Sequence, residues 1–315
     1  MQVFRSLEEV PSELGTTVVS VGNFDGVHRA HQEVVHRMAD RAHSLGGKAV
    51  VVTFEPHPYR ILRPDVAPRL LTPLPIKLRL LQQTRVDGVL VLPFTRDLSL
   101  MPAHDFAKTV LVDALHAREV HEGYNFHFGH KAQGNVNTLA DLGKEFGFEA
   151  TVYPEQSLRG HHLSSTEIRK LVAEGKMAKA RALLGRPFSI FSNPGRGRGY
   201  GHKYTVPTVN LARYDELVPA IGVYIAWLRV GSECFEAVTN VGNRPTFGAD
   251  SFAIESHLLN FHPIELLPET ELELVFLHRL RPEIKFPSVE ALREQIAKDV
   301  HKARRYFRLK VAVSN

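Results

Sequence analysis

The stretch "VGNFDGVHRAHQ", residues 21–32, decides the fold of the first half of the chain. Upstream, "TTVVSVG" is an unbroken β-branched run and reads as a strand. Downstream, "RAHQEVVHRMADRAHSLGG" carries a helical pattern that Gly46 and Gly47 close. The quoted segment is therefore the turn from a strand into a helix. Its two glycines, Gly22 and Gly26, allow backbone to come close to a ligand, and the helix start behind them offers unpaired N–H groups to a phosphate. His28 and His31 open that helix three residues apart, on one face, as a pair able to donate to a single polyphosphate.

Two other readings of the pair stay open from the residues alone. A zinc centre needs further ligands, yet the chain has one distant cysteine and no H-E-x-x-H. Otherwise the segment is an ordinary helix start in which the histidines carry no chemistry.

The same alternation continues. "KAVVVTF" reads as a strand, "PIKLRLLQQTR" as a helix opened by Pro75, and "DGVLVLPF" as a strand. A helix around "HDFAKTVLVDAL", a short strand near "REVHEG", a helix in "NVNTLADLGKEFG" and a strand "FEATVYP" follow. Strands alternating with helices of this length predict a parallel sheet, and near-continuous apolar strands predict helices on both of its faces. After Gly185 the texture changes to short apolar runs punctuated by turns ("NPGRGRGYG", "GSE", "GNRP", "GAD"), the pattern of an antiparallel barrel or sandwich, with a final helix in "PSVEALREQIAKDVHKARRYF". The expected boundary lies between residues 186 and 187.

Bulk properties fit two soluble domains. The chain has 315 residues, 43% apolar and 23% charged, with one cysteine, Cys234. No disulfide framework is possible within it, no apolar run approaches 18 residues and no signal core opens it, so it reads as cytoplasmic. The net charge of +5 is spread, 23 basic against 20 acidic residues in 1–186 and 16 against 14 in 187–315. The one cluster, "HKARRYFRLK" at 301–310, reads as a solvated helix face and not as a nucleic-acid surface.

A second segment, "LSSTEIR" at 163–169, reads locally as a capping box with Ser164 as N-cap and Glu167 three residues on. Ser165, Thr166 and Arg169 then add two hydroxyls and a guanidinium at a helix start, groups suited to phosphate oxygens. The pairing of "GNFDGVHRAH" with "LSSTEIR", about 135 residues on, resembles the H-x-G-H nucleotidyltransferases, and within them the adenylyltransferase half of bacterial bifunctional FAD synthetases. "GYNFHFGHKAQGN" (123–135) is similar to that family's flavin-nucleotide loop, and "TFEPHP" (53–58) to its second strand and turn. The family glycine between the two histidines is Ala30 here.

In the second half, "GRGRGYGHKYT", "VPTVNL" (206–211), "PAIGVYIAWLRV", "TNVGNRPTFG" (239–248) and "IESHLLNF" (254–261) resemble, in that order, the riboflavin kinase module of the same bifunctional enzymes. The stretch from Pro187 to Gly195 is shorter than usual, and "HPIELLPETEL" replaces the usual acidic turn after "LLNF".

The resemblance implies a Rossmann-like α/β nucleotidyltransferase domain followed by a six-stranded antiparallel β-barrel with a terminal helix. It implies two reactions, riboflavin to FMN and FMN to FAD, with ATP as co-substrate and Mg²⁺. By that resemblance His28, His31 and Arg169 serve adenylyl transfer. Gly22, Phe24, Asp25, Gly26, Ser164, Ser165 and Thr166 hold ATP, and Asn125, Phe126 and Phe128 receive the flavin nucleotide. In the barrel it implies Thr208 and Asn210 as Mg²⁺ ligands and Glu255 as general base. Gly195, Gly197, Gly199 and Gly201 form a phosphate flap, and Asn243, Arg244 and Thr246 lie by the flavin or nucleotide. Partners are then riboflavin, FMN, FAD and ATP, with no nucleic acid or membrane, in a monomer or weak homo-oligomer. The alternatives are a chain with only one of the two activities, or a flavin- or nucleotide-binding protein without catalysis.

Overall fold

In a computed structural model, residues 1–195, 203–204, 208–243 and 252–313 are described. By packing the chain divides into two compact units, Met1–Glu167 and Ile168–Asn315. The helical pair Ser165–Ala173 and Met177–Leu184 falls mainly in the second. Its later helix packs on strands Phe188–Ser192 and Leu272–Arg281, so the packing division precedes the expected boundary at 186/187.

The first unit is built on six parallel strands: β1 (Gln2–Phe4), β2 (Thr17–Val21), β3 (Lys48–Glu55), β4 (Gly88–Pro93), β5 (Ala117–Gly123) and β6 (Glu149–Tyr153). Their order across the sheet is β1-β4-β3-β2-β5-β6. The edge strand β1 is one that the sequence pattern did not announce; three residues give too short a run to read, and pairing with β4 holds it. Helices α1 (Arg29–Ser44), α2 (Leu74–Gln82), α3 (Ala103–Phe106, continuing as a π-helix to Ala114) and α4 (Val136–Phe146) carry the chain between strands.

Alternation along β2, β3 and β4 gives the sheet two apolar faces. Val18, Val51, Val89 and Val91 pack with Val35, Met38 and Ala42 of α1 and Leu81 of α2. Val19, Val50, Val52 and Leu90 pack with Phe106, Leu111 and Leu139 on the other side. Both faces being covered accounts for the unbroken apolar strands.

The second unit places β7 (Phe188–Ser192), β8 (Thr208–Asn210), β9 (Gly222–Val230), β10 (Glu233–Asn243), β11 (Phe252–Leu258) and β12 (Leu272–Arg281) in one antiparallel sheet ordered β7-β12-β9-β10-β11-β8. The two edges meet. Gly195 N–H donates to Asn210 O at 2.8 Å, Ala212 N–H to Asn193 O at 2.8 Å, and Pro194 bridges Leu211. This seam settles barrel against sandwich. It also gives Gly195 a structural task, because a Cβ there would stand 2.5 Å from the Leu211 carbonyl oxygen. A long helix, Val289–Val313, lays Ala303 and Phe307 on Ile225, Val275 and Leu277.

One glycine of the first unit is under firm constraint. Gly129 has φ +74°, and a Cβ on it would lie 2.6 Å from the Ala103 backbone nitrogen. Gly129→Ala is expected to cost about 2–4 kcal/mol, combining left-handed strain and a backbone collision. Thermal unfolding should show the transition of the first unit lowered by about 5–15 °C.

Candidate active sites

The loop after β2 and the start of α1 lie at the carboxyl ends of the parallel strands, where such sheets bind ligands. A cavity of about 960 Å³ opens there, lined by residues between Ser20 and Thr166. It gathers segments far apart in sequence. Gly22, Phe24, His28, Ala30 and His31 line it, as do Asn125, Phe126 and Phe128, and Ser164, Ser165 and Thr166.

His28 is the N-cap of α1, its Nδ1 accepting the His31 N–H at 3.5 Å. An accepting Nδ1 leaves the ring proton on Nε2. The two imidazoles stack at 3.6 Å between centroids and 18° between planes, with Phe24 tilted against His31 at 5.0 Å. His31 Nδ1 is buried with no hydrogen-bond partner. Burial first, then His28 and Lys77, push the His31 pKa well below its usual 6.5, so the ring is neutral at physiological pH. A neutral histidine with an orphaned ring nitrogen beside a helix start fits an oxygen-rich anionic ligand, because a buried polar atom left unpaired is costly.

The second segment docks on the first. Ser165 Oγ donates to the Asp25 carbonyl at 2.8 Å, and Ser164 Oγ caps its helix by accepting the Glu167 N–H at 3.2 Å. The capping box is only half made. Glu167 turns to His161 Nδ1 at 2.7 Å, while the Ser164 N–H goes to the His162 carbonyl. Arg169, on the next turn, is not among the cavity's lining residues.

Two residues expected at the phosphates also stand outside the lining. Asp25 is buried and its carboxylate accepts Leu71 N–H at 3.0 Å and Thr72 N–H at 2.9 Å; Gly26 N–H donates to Thr72 Oγ1 at 2.9 Å. A carboxylate only accepts, so Asp25 finds backbone donors and pins the loop that carries the histidines. Neither residue is among the lining residues; the hydrogen bonds they make shape the turn.

Also in the lining, Phe126 and Phe128 stack at 5.2 Å and 13°, and Phe128 is part of the core. His127 Nδ1 pairs with the Asn125 carbonyl at 2.9 Å. The sequence reading passed over Glu122, Tyr124, Tyr153 and Glu155, which also line the cavity. Tyr124 donates to Glu155 Oε1 at 2.6 Å, and His121 joins Tyr153 Oη at 2.8 Å. A glutamate just before Gly123, in a strand otherwise buried on both faces, was the one available signal.

The second unit carries its candidate residues on one barrel face. Asn210 pairs with Glu255, Glu255 with Asn240, and Thr208 with His257. Residues directly opposite in antiparallel strands share a face. The other face is dry, with Val209, Thr239 and Ser256 fully buried and the Thr239 and Ser256 hydroxyls 2.9 Å apart. Thr208 Oγ1 lies 3.5 Å from His257 Nδ1, and burial, then Arg304, lower the His257 pKa. Thr208 and Asn210 offer neutral oxygens, and among the described residues no three His, Cys, Asp or Glu side chains converge as a metal cage. That donor set fits a hard cation that brings its remaining ligands from phosphates and water. Gly197, Gly199, Gly201, Arg244 and Thr246 lie outside the described residues; Asn243 ends β10, its backbone paired with Phe252.

Residues 10–167 match the FAD synthetase family and residues 184–307 the riboflavin kinase family. The chain belongs to the bifunctional riboflavin kinase/FMN adenylyltransferase family. Curated relatives of that name are similar to it along nearly their whole length. The Haemophilus influenzae protein is 35% identical over 98% of this chain and 99% of its own. The Pseudomonas fluorescens protein is 36% identical over 96% and 97%, and the Escherichia coli K12 protein 33% identical over 97% and 96%. A Streptococcus pneumoniae crystal structure described as a macrolide-efflux protein shares the fold, with a TM-score of 0.83, 25% identity and coverage of 96% and 98%. Among the described residues of the present chain, no helix is long and apolar enough to cross a membrane.

Proposed function

We propose that the first unit adenylylates FMN to FAD and that the barrel phosphorylates riboflavin to FMN, each with ATP. Membership of the bifunctional family supports both reactions. The observation that carries the first is the convergence of His28 and His31 with Ser164, Ser165 and Thr166 around one cavity.

In the first reaction an oxygen of the FMN phosphate attacks the α-phosphorus of ATP. A P–O bond forms, the α–β anhydride bond breaks, and pyrophosphate leaves with the electron pair. No covalent intermediate is needed, so rate comes from positioning and from donors aimed at accumulating charge. His28 and His31 donate to the α- and β-phosphates. Ser164, Ser165, Thr166 and Arg169 hold the triphosphate tail, and Asn125, Phe126 and Phe128 hold the flavin nucleotide. In the barrel the riboflavin 5′-hydroxyl oxygen attacks the γ-phosphorus, its proton passes to Glu255, and ADP leaves. Thr208 and Asn210 would hold Mg²⁺, which supplies charge neutralisation on the phosphates when bound. The reading is of a cytoplasmic enzyme, monomeric or weakly self-associating, that engages small molecules and no nucleic acid or membrane.

Chromatography of the full chain with riboflavin, ATP and Mg²⁺ tests this. FMN should rise first and FAD follow. FMN accumulating without FAD would remove the adenylyl-transfer assignment and point to Ala30, which lines the cavity. Riboflavin left unchanged would remove the kinase assignment.

A further inference from the structure

One carboxyl in the first cavity has no part in the chemistry above. Glu122 lines that cavity and is 4% exposed. Buried glutamates are rare unless partnered, and here an apolar residue would be the ordinary occupant. The β2–β5 ladder pairs Thr17, Val18 and Val19 with Ala117, Glu119 and Val120 and goes no further. Past that point Glu122 Oε1 accepts the Val21 N–H at 2.5 Å, immediately before Gly22 and the histidine loop. Among the described residues this is its only hydrogen bond, which leaves Oε2 without a protein partner. Burial pushes the carboxyl well above the ordinary carboxylate range, opposed only by the Val21 N–H. Burial thus favours the protonated carboxylic acid, the form that has an O–H to donate and no negative charge to repel a polyphosphate.

We propose that Glu122 is a further substrate-binding residue of the adenylyl-transfer site, its Oε1 fixing the end of β2 and its second oxygen donating a hydrogen bond to a phosphate oxygen of a bound substrate. The inference rests on the adenylyl-transfer reading. The phosphate belongs either to the nucleoside triphosphate or to the flavin nucleotide, and the experiment separates the two.

The full chain is compared with Glu122→Gln, which keeps an acceptor and a donor, and Glu122→Leu, which keeps neither. FAD formation is measured with FMN and ATP varied in turn, calorimetric binding of each is measured separately, and the thermal transition of the first unit in the same samples reports its folding. Glu122→Leu should weaken one phosphate substrate by about 10- to 100-fold, the range for a hydrogen bond to a charged partner. Loss in the ATP series assigns the triphosphate, and loss in the FMN series the flavin phosphate. Glu122→Gln should restore most of that loss.

The pH profile adds a readout that a purely structural role does not move. As pH rises, wild-type Glu122 gives up its proton and transfer falls; Glu122→Gln lacks that limb. The ionisable groups on the surrounding elements are His28 at the N-cap of α1; Arg29, His31, Glu33, His36, Arg37, Asp40, Arg41 and His43 of α1; Arg118, Glu119 and His121 of β5; and Glu149 and Tyr153 of β6; β2 has none. All of them remain in both proteins. Wild-type affinity for both substrates in Glu122→Leu, or an alkaline limb persisting in Glu122→Gln, overturns the proposal. Wild type that binds both substrates yet forms no FAD overturns the adenylyl-transfer reading instead, and the binding series still reads the contact.

Discussion

Replacing His31 with alanine is expected to lower adenylyl transfer from ATP to FMN by about a thousandfold and to leave riboflavin phosphorylation by the same polypeptide unchanged. The ring is held in place by stacking on His28 and by Phe24, and its Nδ1 is buried without a protein partner. Such a donor is aimed before substrate arrives, so it meets the charge developing on the phosphates without reorganising. Assaying FAD from FMN and FMN from riboflavin on one sample checks both halves, and a lowered thermal transition of the first unit would show a folding defect instead.

The pH sign follows from the same geometry. Burial, His28 and Lys77 hold the His31 pKa well below 6.5, so the folded state resists a proton that the unfolded chain accepts. The stability His31 contributes as a neutral ring is complete above pH 6.5 and is lost as pH falls below it. The acid limb of adenylyl transfer attributable to His31 is likewise expected below pH 6.5 and not at it. A limb centred at the ordinary histidine value would contradict this.

The reciprocal result is expected at the barrel. Glu255→Gln should reduce riboflavin phosphorylation by about 10²–10⁴-fold, the span for loss of a general base, and leave FAD formation from added FMN intact. Register puts Glu255 directly across from Asn210 on one side and Asn240 on the other, so the amide changes the charge and barely the volume of that face. The effect should fall on kcat, because the base acts on the hydroxyl proton only as the γ-phosphoryl moves. A rise in KM with kcat unchanged would reassign Glu255 to substrate binding.

The sequence by itself determined the alternation of strands and helices in the first half, because apolar period and glycine punctuation are local signals. It likewise marked the antiparallel texture of the second half and the histidine, hydroxyl and glutamate candidates. Tertiary structure decided what depends on distant partners. The edge strand Gln2–Phe4 exists because β4 offers it a ladder. The barrel closes because Gly195 lets Leu211 approach. Asp25 has the composition of a ligand-site residue, yet backbone donors at Leu71 and Thr72 claim it. Glu122 sits in the polar run "REVHEG", and only the ending of the β2–β5 ladder sets its carboxyl on the Val21 N–H. Periodicity encodes which face a residue takes. Which buried polar group meets which donor is set by long-range packing, and no local window of sequence contains it.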